Sequence, residues 1–370
     1  MKKLIFFTIL FYLISFVVYA GTFDGVFTDK VKSEVRQSFE IIENDFISSI
    51  DAIEMIERLN EGDYTVEFSR LPEYIKNGFL NELKGNFNFF LKITVIILLV
   101  SLVENMSENI SGKSILAISC SSVVVLNLID VFYDISGYAT QTIDRLILFI
   151  NSLTPTLLTT LAGSGRVVSA GMLNPIMLGV SSVITLIIKS VLIPLITVGL
   201  ALKLTVSVTD KRHLLNLGNQ IYSLVKWLTG FMLTLYAGII AVVGAAAPSV
   251  DEITLKTAKY AVGSFVPYVG SMLSDSVELV LNCSSVVKNS IGIVGLIGIL
   301  TVVALPCLKI VVKILLFNLL SVLVAPVSGK GVLDALNNIS SCLNILLGFV
   351  FVVSVMYILS ITVIIYVGGA

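Results

Sequence analysis

The 370-residue chain is 56% hydrophobic and 13% charged, and its formal net charge is −1. Soluble domains carry about 25% charged residues, so this composition excludes an ordinary soluble globule. The near-neutral charge also gives no basis for a nucleic-acid partner. Mean hydropathy is +0.98, and several apolar runs reach the roughly 20 residues that a membrane-crossing helix needs. The sequence therefore predicts an all-α polytopic membrane protein surrounded by membrane lipid.

The first 20 residues have the order of a secretory signal peptide. Lys2 and Lys3 precede an apolar run from Leu4 to Val18, and the small residue Ala20 closes it. An uncleaved anchor helix is the alternative. In both cases the residues that follow are expected outside the cytoplasm.

Residues 21–85 are predicted to form an acidic helical region outside the membrane. They contain 14 acidic and 7 basic residues, whereas residues 86–370 contain 11 acidic and 15 basic residues. Hydrophobic residues spaced by four and three positions, with a break at Ser49, predict one apolar helix face. Such a face must be buried, either on the membrane body of this chain or on an external partner. The candidate interface residues are Val35, Phe39, Ile42, Phe46, Ile53 and Ile56.

The rest of the chain predicts roughly seven or eight transmembrane segments. Phe87–Val103 and Ser114–Tyr133 are clear apolar spans. Thr140–Leu161 is less apolar and contains Pro155, which favours a separate tilted, re-entrant or interfacial helix. Val167–Val208 is long enough for two spans.

Two internal repeats are predicted in the membrane region. LLNLGNQIYSLVKWLTGF (214–231) aligns with VLDALNNISSCLNILLGF (332–349) at a shift of 118 residues, and seven of the 18 positions are identical. The predicted organisation is therefore a signal peptide (1–20), the acidic helical region (21–85), a first transmembrane pair (86–136), membrane repeat 1 (137–252) and membrane repeat 2 (253–370).

Proline spacing is shared by the two repeats. Pro155 and Pro194 are 39 residues apart, and so are Pro267 and Pro306. Proline breaks the helical hydrogen-bond ladder, and broken backbone at membrane depth must be buried in protein or face a cavity. Repeat-built transporters place their pathway beside such breaks. The four prolines are thus candidate kinks along a pathway, and harmless kinks satisfied by neighbouring helices are the alternative.

Three lysines lie near these prolines within apolar sequence: Lys189, Lys309 and Lys313. Ionisable residues inside a membrane are costly and often functional, which makes them candidate pathway residues. Lysines close to a helix end can instead extend to the membrane surface.

Residues for catalysis or cofactor binding are scarce. The single histidine, His213, argues against a histidine-based metal site or catalytic triad. The four cysteines form no CxxC pair and lie in apolar surroundings, which predicts buried, inert thiols. SGKG at 328–331 lacks the other residues of a nucleotide-binding loop. We expect no enzyme activity, no cofactor and no metal, so any ATP hydrolysis would come from another chain.

The order of these parts resembles the stage III sporulation protein AE family. The signal peptide and acidic region, the stretch GSGRVVSAGMLNP and the C-terminal YILSITVIIYVGGA carry the resemblance. It implies a multi-pass protein of the mother-cell membrane around the forespore in an endospore-forming bacterium. The implied function is that of a channel or export-platform subunit in a secretion-like complex, with a separate cytoplasmic ATPase and a ring-forming subunit as partners.

Two other functions stay open beside this one. The repeats and proline breaks also suit a self-sufficient secondary transporter or permease. A non-conducting membrane scaffold would need no pathway at all.

We expect the mature chain to begin near Gly21, because the lysines, the apolar run and the small residue precede it in the order of a signal peptide. N-terminal sequencing of the membrane-extracted protein should recover this N terminus. Recovery of an intact Met1–Ala20 segment would establish an anchor helix instead.

Overall fold

A computed structural model describes residues 29–40, 71–106, 113–209, 212–265 and 270–369. The regular structure of these ranges is entirely helical, which confirms the predicted all-α class. The α-helices are α1 (Asp29–Glu40), α2 (Leu71–Met106), α3 (Lys113–Gly163), α4 (Val167–Asn174), α5 (Ser181–Ile187), α6 (Ile193–Thr209), α7 (Arg212–Phe265), α8 (Gly270–Val324) and α9 (Lys330–Gly369). Two short π-helices, π1 (Pro175–Val180) and π2 (Ile188–Leu192), join α4 to α5 and α5 to α6.

Several predictions concern residues outside these ranges. They are the signal peptide (1–20), the interface candidates Ile42, Phe46, Ile53 and Ile56, and Pro267. These stay predictions.

Six helical stretches in the described ranges are long and apolar enough to cross a membrane. They are α2, α3, the continuous run from α4 to α6, α7, α8 and α9. The sequence predicted roughly seven or eight segments because it placed breaks within residues 113–163 and 167–209. The chain is helical through both stretches, so the described part has fewer and longer segments.

Thr140–Leu161 is helical as predicted but does not form a helix of its own, because these residues continue α3. The threonines at its start bond within the helix: Thr140 donates to the Ser136 carbonyl at 2.9 Å and Thr142 to the Tyr138 carbonyl at 2.7 Å. A hydroxyl group that donates to the carbonyl four residues earlier leaves the backbone hydrogen bonds of the helix in place, so the helix continues.

Contacts between helices show that the chain passes back and forth between two ends. At the first end, Ser101 of α2 hydrogen bonds with Ser328 in the turn between α8 and α9, at 2.7 Å. At the second end, the Lys288 ammonium, at the start of the apolar stretch Val287–Val324 of α8, donates to the Ile365 carbonyl near the end of α9, at 3.1 Å. Tyr236 and then Gly244 of α7 lie against Ser360 and then Val363 of α9, so α7 and α9 run in the same direction.

The centre of the body is formed by α3, α8 and α9, which pack against one another. Gly292, Gly295 and Gly298 lie on α8 where it meets the other two helices. A Cβ added to Gly298 would lie 2.4 Å from Cζ of Phe149, and one added to Gly295 would lie 2.6 Å from Cδ2 of Leu153. Small residues at the contact surfaces of membrane helices allow their backbones to approach closely.

Helix α1 packs on α3. Val35 and Phe39, the two described residues of the candidate interface, are buried. The Phe39 ring meets the Phe149 ring edge to face, with centroids 5.4 Å apart. Thr156 Oγ1 donates to the Glu34 carboxylate at 2.9 Å. For this part of the acidic region, the surface that covers the apolar stripe is the chain's own body.

The predicted domain boundaries fall within helices. The boundary at 136/137 lies inside α3, and the boundary at 252/253 lies inside α7. Helices α7 and α9 begin at Arg212 and Lys330, which matches the 118-residue shift of the sequence alignment. The repeats stay a prediction.

We predict that Gly298→Ala lowers the free energy of unfolding by about 1–3 kcal/mol, the usual effect of overpacking a core. Its new methyl group would overlap the Phe149 ring, which is fully buried and held by Phe39. Gly348→Ala is the matched control, because no neighbouring atom lies within 4 Å of an added Cβ. Unfolding of the detergent-extracted variants by heat or by SDS measures both effects, and equal stability of the two variants would contradict the packing described here.

Candidate functional site

The helical run from Val167 to Thr209 contains two changes of hydrogen-bond pattern. In π1 and π2 the backbone bonds reach back five residues, which widens the helix locally. Pro175 is the first residue of π1, and Pro194 follows π2 after one intervening residue. Proline has no N–H to donate, so the regular ladder cannot pass through these positions. Because π-turns of this kind occur often at functional sites, we take this run as the candidate functional site.

An ion pair joins π2 to α3. The Lys189 ammonium contacts the Asp144 carboxylate, and the two side chains are 28% and 44% exposed. Both residues lie within helical stretches that qualify as membrane spans. An opposite charge lowers the cost of holding lysine in such surroundings. The sequence indicated Lys189 as a candidate but did not identify Asp144 as its partner.

The start of this run is fixed by a buried carboxylate. Asp251 of α7 is 2% exposed. It accepts hydrogen bonds from the backbone N–H groups of Val168 at 2.7 Å and Ser169 at 3.0 Å, and also from the Ser169 hydroxyl. The first N–H groups of a helix have no partner within that helix, so a carboxylate from a neighbour satisfies them and offsets the positive end of the helix dipole.

The turn between α3 and α4 is also held by α7. Arg166 donates from Nη1 to the Pro248 carbonyl of α7 at 3.3 Å. Gly165 has a φ of 83°, a left-handed conformation that glycine adopts without strain. The turn from α3 to α4 is therefore tied to α7, and the run from Val167 to Thr209 begins from a fixed point.

The three described prolines of the predicted pathway lie in different surroundings. Pro155 and Pro194 are exposed, and Pro306 is partly exposed. Helix α8 stays a regular α-helix through Pro306, whereas a π-turn precedes Pro194. The two predicted kinks thus differ in hydrogen-bond pattern, and the pathway through them stays a prediction.

The two lysines that follow Pro306 face aromatic rings. Lys309 Nζ lies 3.6 Å from the centroid of Tyr138, and Lys313 Nζ lies 4.2 Å from the centroid of Phe89. Lys313 is only 7% exposed and lies at an apolar recess between α2 and α8. The electron-rich ring faces compensate part of the cost of burying these cations.

Sequence reasoning missed three charged residues: Lys203, Asp251 and Lys288. Lys203 Nζ lies 4.1 Å from the ring centroid of Tyr222, and Lys288 is fully buried beside the end of α9. A systematic search for charges inside apolar stretches would have found Lys203 and Lys288. Asp251 lies in the polar sequence PSVDE, where nothing marks it as buried.

No cluster of three or more histidine, cysteine, aspartate or glutamate side chains forms within the described residues. Cys342 is buried and Cys307 is partly buried, and both are free thiols.

We predict that Asp251→Ala lowers the free energy of unfolding by about 1–3 kcal/mol, because two backbone N–H groups lose their acceptor. Glu252→Ala is the control, since Glu252 is exposed and its ion pair with Lys256 lies at the surface. Its effect should stay within about 0.5 kcal/mol. The comparison uses the unfolding assay in detergent, and a similar loss in both variants would exclude the proposed capping role.

Comparison with known proteins places these features in a family. The family described as stage III sporulation protein AE matches residues 50–368. Stage III sporulation protein AE of Bacillus subtilis (strain 168) is 29% identical to this chain over 277 residues, which are 75% of this chain and 69% of that relative. No solved structure matches. The chain belongs to the stage III sporulation protein AE family.

Proposed function

We propose that this chain is the membrane subunit of a channel or export platform that serves endospore development between mother cell and forespore. Its family implies a role in sporulation and is not named as an enzyme family. Six long apolar helical stretches in the described part of the chain make it a multi-pass membrane protein. The channel role goes further than both facts. It is supported above all by the interrupted helical run from Val167 to Thr209 and its ion pair.

The interrupted run has the properties of a movable element. A helix with π-turns can shift its hydrogen-bond register at modest cost, and the residues at such points act as hinges. The Lys189–Asp144 pair links this run to α3, a helix of the packed centre. Breaking and reforming the ion pair would move this run relative to α3 and the packed centre. A subunit that opens and closes a passage requires such a combination.

The energy for directed transport would come from another subunit. The SGKG sequence (328–331) runs from the end of the turn before α9 into the first residues of that helix. The hydroxyl groups of Ser328 and Ser101 are hydrogen bonded to each other. We therefore include a separate cytoplasmic ATPase as a partner in the proposal. A ring-forming membrane subunit is included because the family resemblance implies one.

The proposed location is the mother-cell membrane around the forespore, with the N-terminal region outside the cytoplasm. Helix α1 packs on α3 around Phe149 and Thr156, towards the second end. In this orientation the second end, with the α3–α4 turn and the end of α9, faces the space between the two membranes. The first end, with the α8–α9 turn, faces the ATPase.

A self-sufficient secondary transporter is the second candidate. It is favoured by helices α7 and α9, which run in the same direction as expected for parallel repeats, and by the interrupted helical run. The third alternative, a non-conducting scaffold, is favoured by the close glycine packing of α8. Solute flux into liposomes by the purified chain alone would support the transporter. Loss of sporulation together with capture of an ATPase from sporulating cells would support the complex.

We predict that Lys189→Met and Asp144→Asn each reduce spore formation while the protein level is kept. Each change breaks the ion pair and leaves one charge without its partner. The double variant Lys189→Asp with Asp144→Lys restores opposite charges and should recover part of the spore yield. The assay counts heat-resistant spores and measures the protein level by immunoblot in the same cultures.

The exposed pair Lys256–Glu252, with a distance of 2.6 Å, provides the matched control. Its removal by Lys256→Gln and Glu252→Gln should leave spore formation unchanged, because exposed pairs contribute little. Normal spore yield in both Lys189→Met and Asp144→Asn strains would contradict the role of the interrupted run.

A further inference from the structure

The helical hairpin from Asp144 to Lys189 has the length of a membrane crossing. Asp144 and Gly163 are 19 positions apart on α3, and Val167 and Lys189 are 22 positions apart after the turn. Each arm is therefore about 30 Å long at 1.5 Å per residue, and the hydrocarbon layer is also about 30 Å thick. The ion pair lies at one end of the hairpin, and the turn with Arg166 lies at the other, which is the second end.

The arm after the turn exposes residues that suit lipid tails. Between positions 167 and 187 its exposed residues are small or apolar, with one polar residue, Asn174, among them. They are Val167, Gly171, Met172, Asn174, Pro175, Gly179, Val183 and Leu186. At 100° per residue, Met172, Gly179 and Val183 share one face of the helix. This side of the hairpin has the chemistry of a lipid-facing surface.

The α3 arm exposes a polar stripe at the same depth. Asn151, Pro155 and Thr159 are exposed and lie four residues apart. Pro155 has no N–H, so the Asn151 carbonyl lacks the helical hydrogen bond that it would otherwise accept. Such a carbonyl at membrane depth must be buried in protein or face water. Because Asn151 and Pro155 are both exposed among the described residues, water is the partner that fits this position.

Helix α1 lies next to this stripe and reaches the same depth. Its contacts with α3 follow in opposite chain order, so the two helices are antiparallel and α1 enters from the second end. The contacting pairs along α1 are Glu34 with Thr156, Ser38 with Ser152, and Phe39 with Phe149. Phe149 is 14 positions from Gly163, so the end of α1 lies about 21 Å below the turn.

The outer surface of α1 is polar. Ser33, Arg36 and Gln37 are exposed, whereas Val35 and Phe39 are buried against α3. A charged side chain among lipid tails is costly. The segment that follows α1, residues 41–70, contains eight acidic and two basic residues, so cover from this segment would bring further charge to the same place. The side of α3 that carries α1 is therefore unsuited to lipid.

We infer that the α3 face beside α1 lines a water-filled cavity at membrane depth, open at the second end, and that α1 fills this cavity as a plug. The Phe39 ring at the inner end of α1 packs on Phe149, and Phe149 fills the space beside Gly298 of α8. The plug thus reaches the packed centre of the body. This inference deepens the proposed function and rests on it, because a plug has a role only where a passage exists.

Thiol labelling in membrane vesicles tests the cavity, because maleimides react with the thiolate form that exists in water. Asn151→Cys is compared with Gly179→Cys, since each position lies 12 residues from the turn, counted from Gly163 and from Val167. No atom lies within 4 Å of a Cβ added to Gly179, so the control substitution fits. Fluorescein maleimide labelling is measured as a fraction of that in SDS, with the unsubstituted chain as background.

We expect several-fold more label on Asn151→Cys than on Gly179→Cys. Equal labelling of the two variants would overturn the cavity, because both positions would then share one environment.

A second labelling experiment tests the position of α1. Ser152 lies under α1, and Phe39→Ala removes the ring that holds α1 on α3. Adding Phe39→Ala should raise the label on Ser152→Cys several-fold. Phe87→Ala is the matched control, because Phe87 is 55% exposed on α2, and it should leave the label unchanged. No rise with Phe39→Ala, or an equal rise with Phe87→Ala, would overturn the placement of α1 in the cavity.

A disulfide tests whether the plug has to move. The hydroxyl groups of Ser38 and Ser152 are hydrogen bonded, which brings the two Cβ atoms within reach of a disulfide. After mild thiol oxidation, Ser38→Cys with Ser152→Cys should lower the count of heat-resistant spores in proportion to the locked fraction. Each single variant, oxidised in the same way, should keep its yield. The gel shift of free thiols with a polyethylene glycol maleimide measures the locked fraction.

Normal spore yield with most of the chain locked, or no disulfide at all, would overturn the plug. This outcome leaves the channel proposal standing if Lys189→Met and Asp144→Asn still reduce spore formation. The labelling of Asn151→Cys does not depend on spore counts, so failure of the cavity and failure of the proposed function are told apart.

Discussion

The close contact of α8 with α3 and α9 is the interaction on which the rest of the structure depends. In a membrane, lipid tails are as apolar as leucine, so helices gain little by hiding apolar side chains from their surroundings. What holds them together is direct packing and the hydrogen bonds between them. Gly292, Gly295 and Gly298 provide the packing, because the side chains of α3 and α9 fill the space that their missing Cβ atoms leave. The other helices are arranged around this centre.

Charged groups within the helices are each satisfied by a different local partner. Lys288 donates to a carbonyl, Asp251 accepts from backbone N–H groups, and Lys309 and Lys313 face aromatic rings. These contacts join helices that are already fixed by packing, so they serve the static structure. The Lys189–Asp144 pair differs because one partner lies in a π-turn. Of these contacts, this one connects the packed centre to a stretch whose backbone pattern can change.

Much of the fold was predictable from sequence, but the continuity of its helices through the predicted breaks was not. The apolar runs identified the membrane region, and the stretches aligned as repeats lie at the beginnings of α7 and α9, which start 118 residues apart. The break predicted before Thr140 failed because serine and threonine can bond to their own helix as well as end it. The π-turns could not be predicted from sequence either. Pro175 and Pro194 indicate that the regular backbone hydrogen bonds of the helix are interrupted, but not which hydrogen bonds form in their place. The partners of Lys189 and Lys313 depend on which helices become neighbours, and spacing along one chain does not contain that information.

Helices α7 and α9 align in sequence, but they have different surroundings in the two halves of the chain. Phe231 and Phe349 are aligned, yet Phe231 is half exposed and Phe349 is fully buried. Helices α2 and α3 pack on the second half, so its apolar faces are used within the chain, whereas among the described residues α7 of the first half keeps an exposed apolar face. The interrupted run belongs to that same half, where α6 packs on α7 through Gly199 and Gly218. Movement of the run would therefore be passed on to α7 through the α6–α7 contact, because close-packed helices transmit displacement rather than absorb it.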